Sequence, residues 1–348
     1  MKVTAILTLR NEAVFLPEWL AHHRAIGFSD FLVFSNDCQD GTDLLLDRLA
    51  DLGWLTHMRN PGPHDKGPQW DALKAADHHP LVRGADWLMH LDIDEFVNIR
   101  IGDGRLPALI ETCPGATGFM LTWRMFGNAG VEALDGRPVT ETFVQAAPEV
   151  LHWPWRAQMV KTLYRNDGAF RKLGVHRPRS PSADARAHWV DGAGRPLPPG
   201  FVQGRVLTDP GSAPYALAQI NHYALGSMQD YLVKVDRGRA NRAAGAFDLG
   251  YWVDRNFCDV EDRSILRMAP AAAALRDGML GDAVLRDLHA AALAWRKARF
   301  RALMAEEPWR AFFGRLKMAA PSRVLSANEA RTIRGYATQP EAEGQTVS

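Results

Sequence analysis

The chain has 348 residues, 41 Lys and Arg against 40 Asp and Glu, and 47% of its residues are apolar. At roughly 150 residues per domain that length predicts about two domains, large enough to fold without disulfides or structural metals. The near-zero net charge excludes a non-sequence-specific nucleic-acid binder, which needs a basic excess to displace counterions, so no nucleic-acid partner is expected.

Cys38, Cys113 and Cys258 lie far apart, form no C-x-x-C pattern and cannot all pair, a usage that fits a reducing compartment. The N-terminal stretch lacks the apolar core and small-residue cleavage site of a signal peptide. No segment approaches the roughly 18 apolar residues of a membrane span. The expectation is a cytoplasmic protein, with peripheral contact at the inner face of a membrane left open.

Val3 to Leu9 is a short apolar, β-branched run that reads as a buried parallel strand. Asn11 is placed to cap a helix in which Phe15, Trp19, Leu20 and Ile26 recur at helical spacing, and Pro17 moves the helix start towards Val14. Phe31 to Phe34 is the second strand. Asp40-Gly41-Thr42-Asp43 turns the chain into a helix carrying Leu45, Leu46, Leu49 and Leu52. Trp54 to Met58 is a third strand, and Gln69 to about Leu81 a third helix. Trp87 to Leu91 is a fourth strand that runs into Asp92-Ile93-Asp94-Glu95. Strand–helix units of this kind predict an α/β fold, a mostly parallel sheet with helices on both faces, whose strand C-terminal ends share one ligand-binding edge.

Beyond residue 115 the pattern changes. Gly118 to Trp123, Met159 to Tyr164 and Tyr215 to Tyr223 read as strands. Residues 178–214 hold seven of the 21 Pro and five of the 29 Gly and read as an irregular insertion. From residue 226 to 334 the reading is helical, over about 227–244, 262–277, 282–304 and 306–318, with a disordered tail at 335–348. The predicted division is therefore a catalytic domain over 1–225 and a helical C-terminal region over 226–334.

Asp92 and Asp94 are the sharpest feature. Carboxylates at i and i+2 after a buried strand face the ligand edge, where hard cations such as Mg²⁺ or Mn²⁺ take oxygen ligands and leave positions for phosphates. Without a metal, Arg or Lys beside them, such a pair repels itself.

Together these segments resemble a family. Thr8-Leu9-Arg10-Asn11-Glu12, with Leu16-Pro17-Glu18-Trp19-Leu20-Ala21-His22-His23 behind it, resembles the opening of bacterial family 2-like glycosyltransferases. Ser35-Asn36-Asp37-Cys38-Gln39-Asp40-Gly41-Thr42 is similar to that family's second-strand turn, and Trp87 to Phe96 to its D-x-D strand. The resemblance covers residues 3 to 126 and continues more weakly to Tyr223. It implies a GT-A (nucleotide-diphospho-sugar transferase) Rossmann-like fold and inverting sugar transfer from a nucleoside-diphosphate donor, UDP- or GDP-linked, to a glycan or other hydroxyl acceptor. A surface or exported polysaccharide is the expected product. By position, Asn11, Glu12, Asn36 and Asp40 would border the nucleotide, Gln69 would lie near the donor, and Asp92 and Asp94 would bind Mn²⁺ or Mg²⁺. His176 and His222 match late His positions of the family and are candidates to complete the metal site. The family usually has Asp where this chain has Ser35.

Lys161, Arg165 and Arg177 are candidates to hold diphosphate oxygens, because a departing nucleotide needs cations. An inverting transfer needs a carboxylate base; Glu95, Glu132 and Glu141 are the candidates, with Glu95 suited also to a supporting role. Trp123, Trp153, Trp155 and Phe126 are either core or a platform for a sugar ring. Lys234 to Arg242 carries four cations and one anion, which on a helix reads as a solvated face, or else as contact with phosphate or anionic lipid. Two other functions compete: a nucleotidyltransferase, for which the first loop lacks a Gly-rich, Lys-bearing sequence, and a non-catalytic module binding glycan or nucleotide.

Overall fold

A computed structural model describes residues 1–183, 185–238 and 248–336. The first half is built on β1 (Val3–Leu9), β2 (Asp30–Ser35), β3 (Thr56–Arg59) and β4 (Trp87–His90), which pair in parallel in the order β3-β2-β1-β4. Every residue of β1 is buried. Side chains alternate across a strand. Val3, Ala5, Leu7 and Leu9 therefore enter one core, beneath α1 (Leu16–Ile26) and α2 (Thr42–Asp51), while Ile6 enters a second, beneath α3 (Pro68–Ala76). Helices thus cover both faces, as the apolar runs predict.

The chain departs from the predicted elements in several places. Asn11 does not cap α1; it takes a left-handed backbone (φ 54°) in the turn before it, and Phe15 precedes the helix. The third helix stops at Ala76, and a single turn, α4 (Pro80–Arg83), comes next, because Pro80 supplies no N–H to continue the ladder. His22 and His23 are both buried, bonded to the Val97 and Trp19 carbonyls.

After the Asp92 loop an unpredicted strand, β5 (Glu95–Ile99), returns as the antiparallel far edge of the sheet. Following α5 (Leu106–Thr112) come β6 (Gly118–Met125), the turn α6 (Val139–Thr142), the short β7 (Gln145–Ala146) and β8 (Val160–Arg165). The last of these enters antiparallel between β4 and β6. The stretch read as irregular is partly ordered. A small hairpin of β9 (Phe170–Lys172) and β10 (Arg179–Pro181) leads to β11 (Trp189–Asp191), which lies parallel beside β6, and to α7 (Pro199–Gln203). Finally β12 (Ala218–His222) lies between β6 and β5. Among the described residues the sheet has nine strands and is mostly parallel in its first half.

The C-terminal region is helical: α8 (Met228–Arg237), α9 (Leu249–Val253), then, after the two-residue β13 (Val260–Glu261), α10 (Ala269–Leu280), α11 (Ala283–Met304), α12 (Glu307–Met318) and α13 (Ala327–Tyr336). The predicted helix over 227–244 and the predicted tail run partly into residues 239–247 and 337–348, outside the described residues; Gly335 and Tyr336 end α13. Helix α10 packs along α1, and α11 spans α2 and α8, so the helices sit on the α/β body and around its ligand edge. Among the described residues no helix is long and apolar enough to cross a membrane.

Trp19 is fully buried, and its indole N–H donates to the Glu95 carbonyl at 2.9 Å, joining α1 to the start of β5. Trp19→Ala is expected to lower unfolding free energy by about 3–5 kcal/mol. By contrast, Arg48→Ala, which removes a half-exposed surface pair with Asp282 of 2.6 Å, should move the urea midpoint far less. Equal midpoint losses would show that the Arg48–Asp282 pair stabilises the fold as much as the buried Trp19 does.

Candidate functional site

The loop between β4 and β5 places Asp92 and Asp94 at the carboxyl ends of the parallel strands. Its shape is set by Glu95. The Asp92 N–H donates to Glu95 Oε2 at 2.8 Å, and the Glu95 N–H donates to the Asp92 carbonyl at 3.1 Å. Glu95 Oε1 accepts the Trp123 indole N–H at 2.8 Å. Beneath the loop lies Lys161 of β8, wholly buried, its Nζ 2.9 Å from Asp92 Oδ2 and 3.1 Å from Glu95 Oε2. Gln69 donates to the other oxygen of Asp92 at 3.1 Å. Asp94 is held from the opposite side: Lys234 of α8 reaches its Oδ2 at 2.7 Å and also donates to the Ala224 carbonyl.

These pairs decide the charges. Burial works against ionisation of Asp92 and Asp94, yet Lys161 holds the first below the usual carboxylate range and Lys234 the second well below it. Glu95 is pushed up to about 8 by burial, with Lys161 opposing and the two aspartates adding to the rise. Burial, then Lys161, brings His176 down to about 4, and burial also lowers His222, so both imidazoles are neutral near pH 7.

A cleft of about 400 Å³ opens over this loop, within the range of small-ligand sites. Glu12, Gln69, Asp92, Asp94, His176 and His222 of the predicted site residues line it, as do Trp123 and Trp155. Trp155 is 43% exposed at this cleft, whereas Phe126 is core.

Other predicted residues fall elsewhere. Asn11, Asn36 and Asp40 stand at the expected strand ends, but all are buried and joined to neighbouring loops. Asn11 accepts from the Gln39 N–H, Asn36 donates to the Leu9 carbonyl, and Asp40 accepts from Ala13 and Thr42. They shape the edge rather than offer side chains to the cleft. Lys161 lies under the Asp92 loop, its ammonium spent on two carboxylates, and does not face the cleft. Arg165 is at the opposite end of the sheet, beside Trp87. The Arg177 guanidinium donates to the Pro178, Val202 and Gln203 carbonyls and so fastens the insertion.

None of the base candidates reaches the cleft. Glu95 is 0% exposed and bound on both oxygens; Glu132 is a surface partner of Lys317; Glu141 is exposed on the far side of α1. Among the described residues the carboxylates that line the cleft are Glu12, Asp92 and Asp94.

The four predicted metal ligands share the cleft without forming a ligand set. Each aspartate is paired with a lysine, His222 Nε2 is 3.8 Å from Asp94 Oδ2, and His222 Nδ1 is buried without a partner. Among the described residues no three His, Cys, Asp or Glu side chains are arranged to hold a metal ion. As arranged, these residues do not fit Mn²⁺ or Mg²⁺.

Of the cations of the cleft, Arg10, Arg156, Lys234, Arg237 and Arg255, sequence reasoning singled out only the stretch from Lys234, as a solvated face or else a phosphate or lipid contact, and gave Arg10, Arg156 and Arg255 no role. The basic stretch starting at Lys234 is not a solvated face, because Lys234 and Arg237 are about nine-tenths buried and point at Asp94 and Glu12. Arg239 and Arg242 lie outside the described residues. The signal was available in Lys234 and Arg237, one helical turn apart in an amphipathic helix whose polar side meets the ligand edge.

No protein-family model matches this chain. A 97-residue segment is 29% identical to a glycosyltransferase family 92 protein of Ricinus communis, taking in 27% of this chain and 16% of that protein's length. Part of the fold is similar to S. aureus TarS residues 1–349 in complex with UDP, at 14% identity and a TM-score of 0.31, covering 47% of each chain. It is also similar to glucosyl-3-phosphoglycerate synthase from Mycobacterium tuberculosis in complex with Mg²⁺ and UDP. There the identity is 11% and the TM-score 0.27, over 48% of this chain and 57% of that one. At these values the structural likenesses decide nothing about substrate or chemistry.

The buried charges have two measurable consequences. Glu95→Ala strands Lys161 beside one carboxylate and leaves two N–H groups unmatched, and is expected to destabilise by about 3–5 kcal/mol in urea unfolding; a loss near zero would remove Glu95 as the support of the loop. The buried imidazoles of His22, His23, His90 and His222 and the half-buried one of His176 all have lowered pKa values, so the unfolded chain takes up protons first. Their contribution is present above about pH 6.5 and is lost as pH falls towards about 4. Four carboxyls raised by burial, Glu18, Glu95, Asp254 and Asp259, act the other way but are fewer than the imidazoles. The urea midpoint should therefore fall between pH 7 and 5, and a flat or rising profile contradicts this assignment.

Proposed function

We propose that the protein is a glycosyltransferase that moves a sugar from a nucleoside-diphosphate donor to an acceptor hydroxyl. The observation that carries this reading is the cleft itself: Asp92 and Asp94, in a D-x-D loop at the carboxyl edge of a parallel sheet, beside cations and the exposed Trp155. The sequence likeness to a glycosyltransferase family 92 protein, over 27% of the chain, supports it. The cations would neutralise a leaving diphosphate, and Trp155 offers a ring face to a sugar. A base for the acceptor hydroxyl would come from Glu12, Asp92 or Asp94, the carboxylates within the cleft.

Residues 1–225 would bind the donor, and the helices after residue 226 would close one side of the cleft. Three unpaired cysteines suit a reaction in the cytoplasm. An inverting transfer that builds a cell-surface or exported polysaccharide is the form we favour.

Thermal unfolding with UDP, GDP and CDP tests the donor class. A ligand at 100 times its Kd stabilises the folded state by about 2.7 kcal/mol. One of these nucleotides should raise Tm, and the matching nucleotide sugar should be consumed slowly even without acceptor. Absence of any shift with all three nucleotides, with or without Mn²⁺, would defeat the reading.

A further inference from the structure

Three carboxylates line the cleft, and each already has a cation: Glu12 has Arg237, Asp92 has Lys161, and Asp94 has Lys234. Arg10, Arg156 and Arg255 line the same cleft with no carboxylate within salt-bridge distance among the described residues. Five cations of the cleft lining, Arg10, Arg156, Lys234, Arg237 and Arg255, therefore stand against three carboxylates, while Lys161 lies beneath it between Asp92 and Glu95. An unbalanced excess of this size needs an anion.

The hydrogen bonds say the same. The Nε atoms of Arg10, Arg237 and Arg255 and the hydroxyl of Thr8 are buried, line one cleft, and find no hydrogen-bond partner among the described residues. Arg255 is only 7% exposed, its guanidinium 3.6 Å above the Tyr251 ring. Leaving a buried donor unmatched costs about 1–3 kcal/mol, more for a charged one. Several together, around a cleft, ask for a ligand rich in acceptor oxygens.

Resting on the transferase reading, we infer that the donor diphosphate is held and neutralised by Lys234, Arg237, Arg255 and Arg10, in the role a divalent cation would otherwise fill. Lys234 already holds Asp94 Oδ2 and Lys161 holds Asp92 Oδ2, so a dication would have to enter beside two buried ammoniums, in a site already in cationic excess. The inferred task of the D-x-D aspartates here is to position lysines. Lys234 and Arg237 come from α8 and Arg255 from the residue pair after α9, so the C-terminal region completes the subsite. As the glycosidic bond to the diphosphate breaks, its electron pair passes to the leaving oxygen, and these cations meet the charge.

Calorimetric titration of UDP, GDP and CDP, each in excess EDTA and then in saturating Mn²⁺ or Mg²⁺, tests this. The expected result is binding of one nucleotide in EDTA that metal improves by less than about threefold, well under the tenfold step of about 1.4 kcal/mol. Arg255→Gln and Lys234→Met should each weaken it by about tenfold or more, with Lys234→Arg restoring most of the loss. Because Lys234→Met strips a cation from Asp94, Arg255→Gln is the variant to trust if Lys234→Met unfolds. The parent nucleoside without phosphates should bind wild type and Arg255→Gln alike. Nucleotide binding that appears only with metal, or that Arg255→Gln leaves unchanged, overturns the inference and leaves the transferase reading standing. No binding under any condition removes both.

Discussion

A single buried lysine organises the site. Lys161 has no contact with solvent and sits under the loop after β4, where its ammonium meets Asp92 and Glu95 at about 3 Å. Two carboxylates so close repel, and neither is stable in a dry interior alone. The lysine makes the pair tolerable, and Glu95 returns the benefit by fixing the Asp92 backbone and the Trp123 ring. The D-x-D loop is therefore held from beneath by ion pairs and hydrogen bonds to buried side chains. Placing that lysine required β8 to enter antiparallel between β4 and β6.

The second aspartate depends on a different part of the chain. Asp94 faces Lys234 from α8, and the adjoining Glu12 faces Arg237 one helical turn on. Two ion pairs thus tie α8 to the ends of β1 and β4, while Asp230 of the same helix bonds Arg296 of α11. These contacts are well shielded, so they survive salt better than surface pairs do. They also give the helical region a chemical part: its cations stand inside the cleft, where on the α/β body alone there would be carboxylates facing water.

The same feature separates this site from the one its motifs imply. A D-x-D pair after a parallel strand suggests ligands for a hard cation. Here both carboxylates are engaged, and His176 and His222 pack near Trp123 as neutral rings, Nδ1 of His176 bound to the Val160 carbonyl. Neighbouring arginines with unmatched donors turn the cleft towards an anion. Motif and neighbourhood thus point to different partners, and the neighbourhood carries the charge.

Much of the scaffold was legible in the sequence. Val3–Leu9 is apolar enough to be buried on both sides, Leu45, Leu46 and Leu49 recur at helical spacing, and Asp92 comes directly after a short apolar run, so local periodicity alone sets β1, α2 and the motif's place at the sheet edge. β5 was hidden because Glu95 reads as part of the motif, though its carboxylate is internal to the fold. The partners of the lysines and arginines at the cleft were not legible for a plainer reason. Asp92 meets Lys161 across 69 positions, Asp94 meets Lys234 across 140, and Glu12 meets Arg237 across 225. Sequence by itself determined which segments become strands and helices, because that depends on near neighbours. Only the tertiary structure decided which charges meet, because electrostatic partners are chosen by distance in space, and that distance is set by how β8, β12 and α8 return to the sheet.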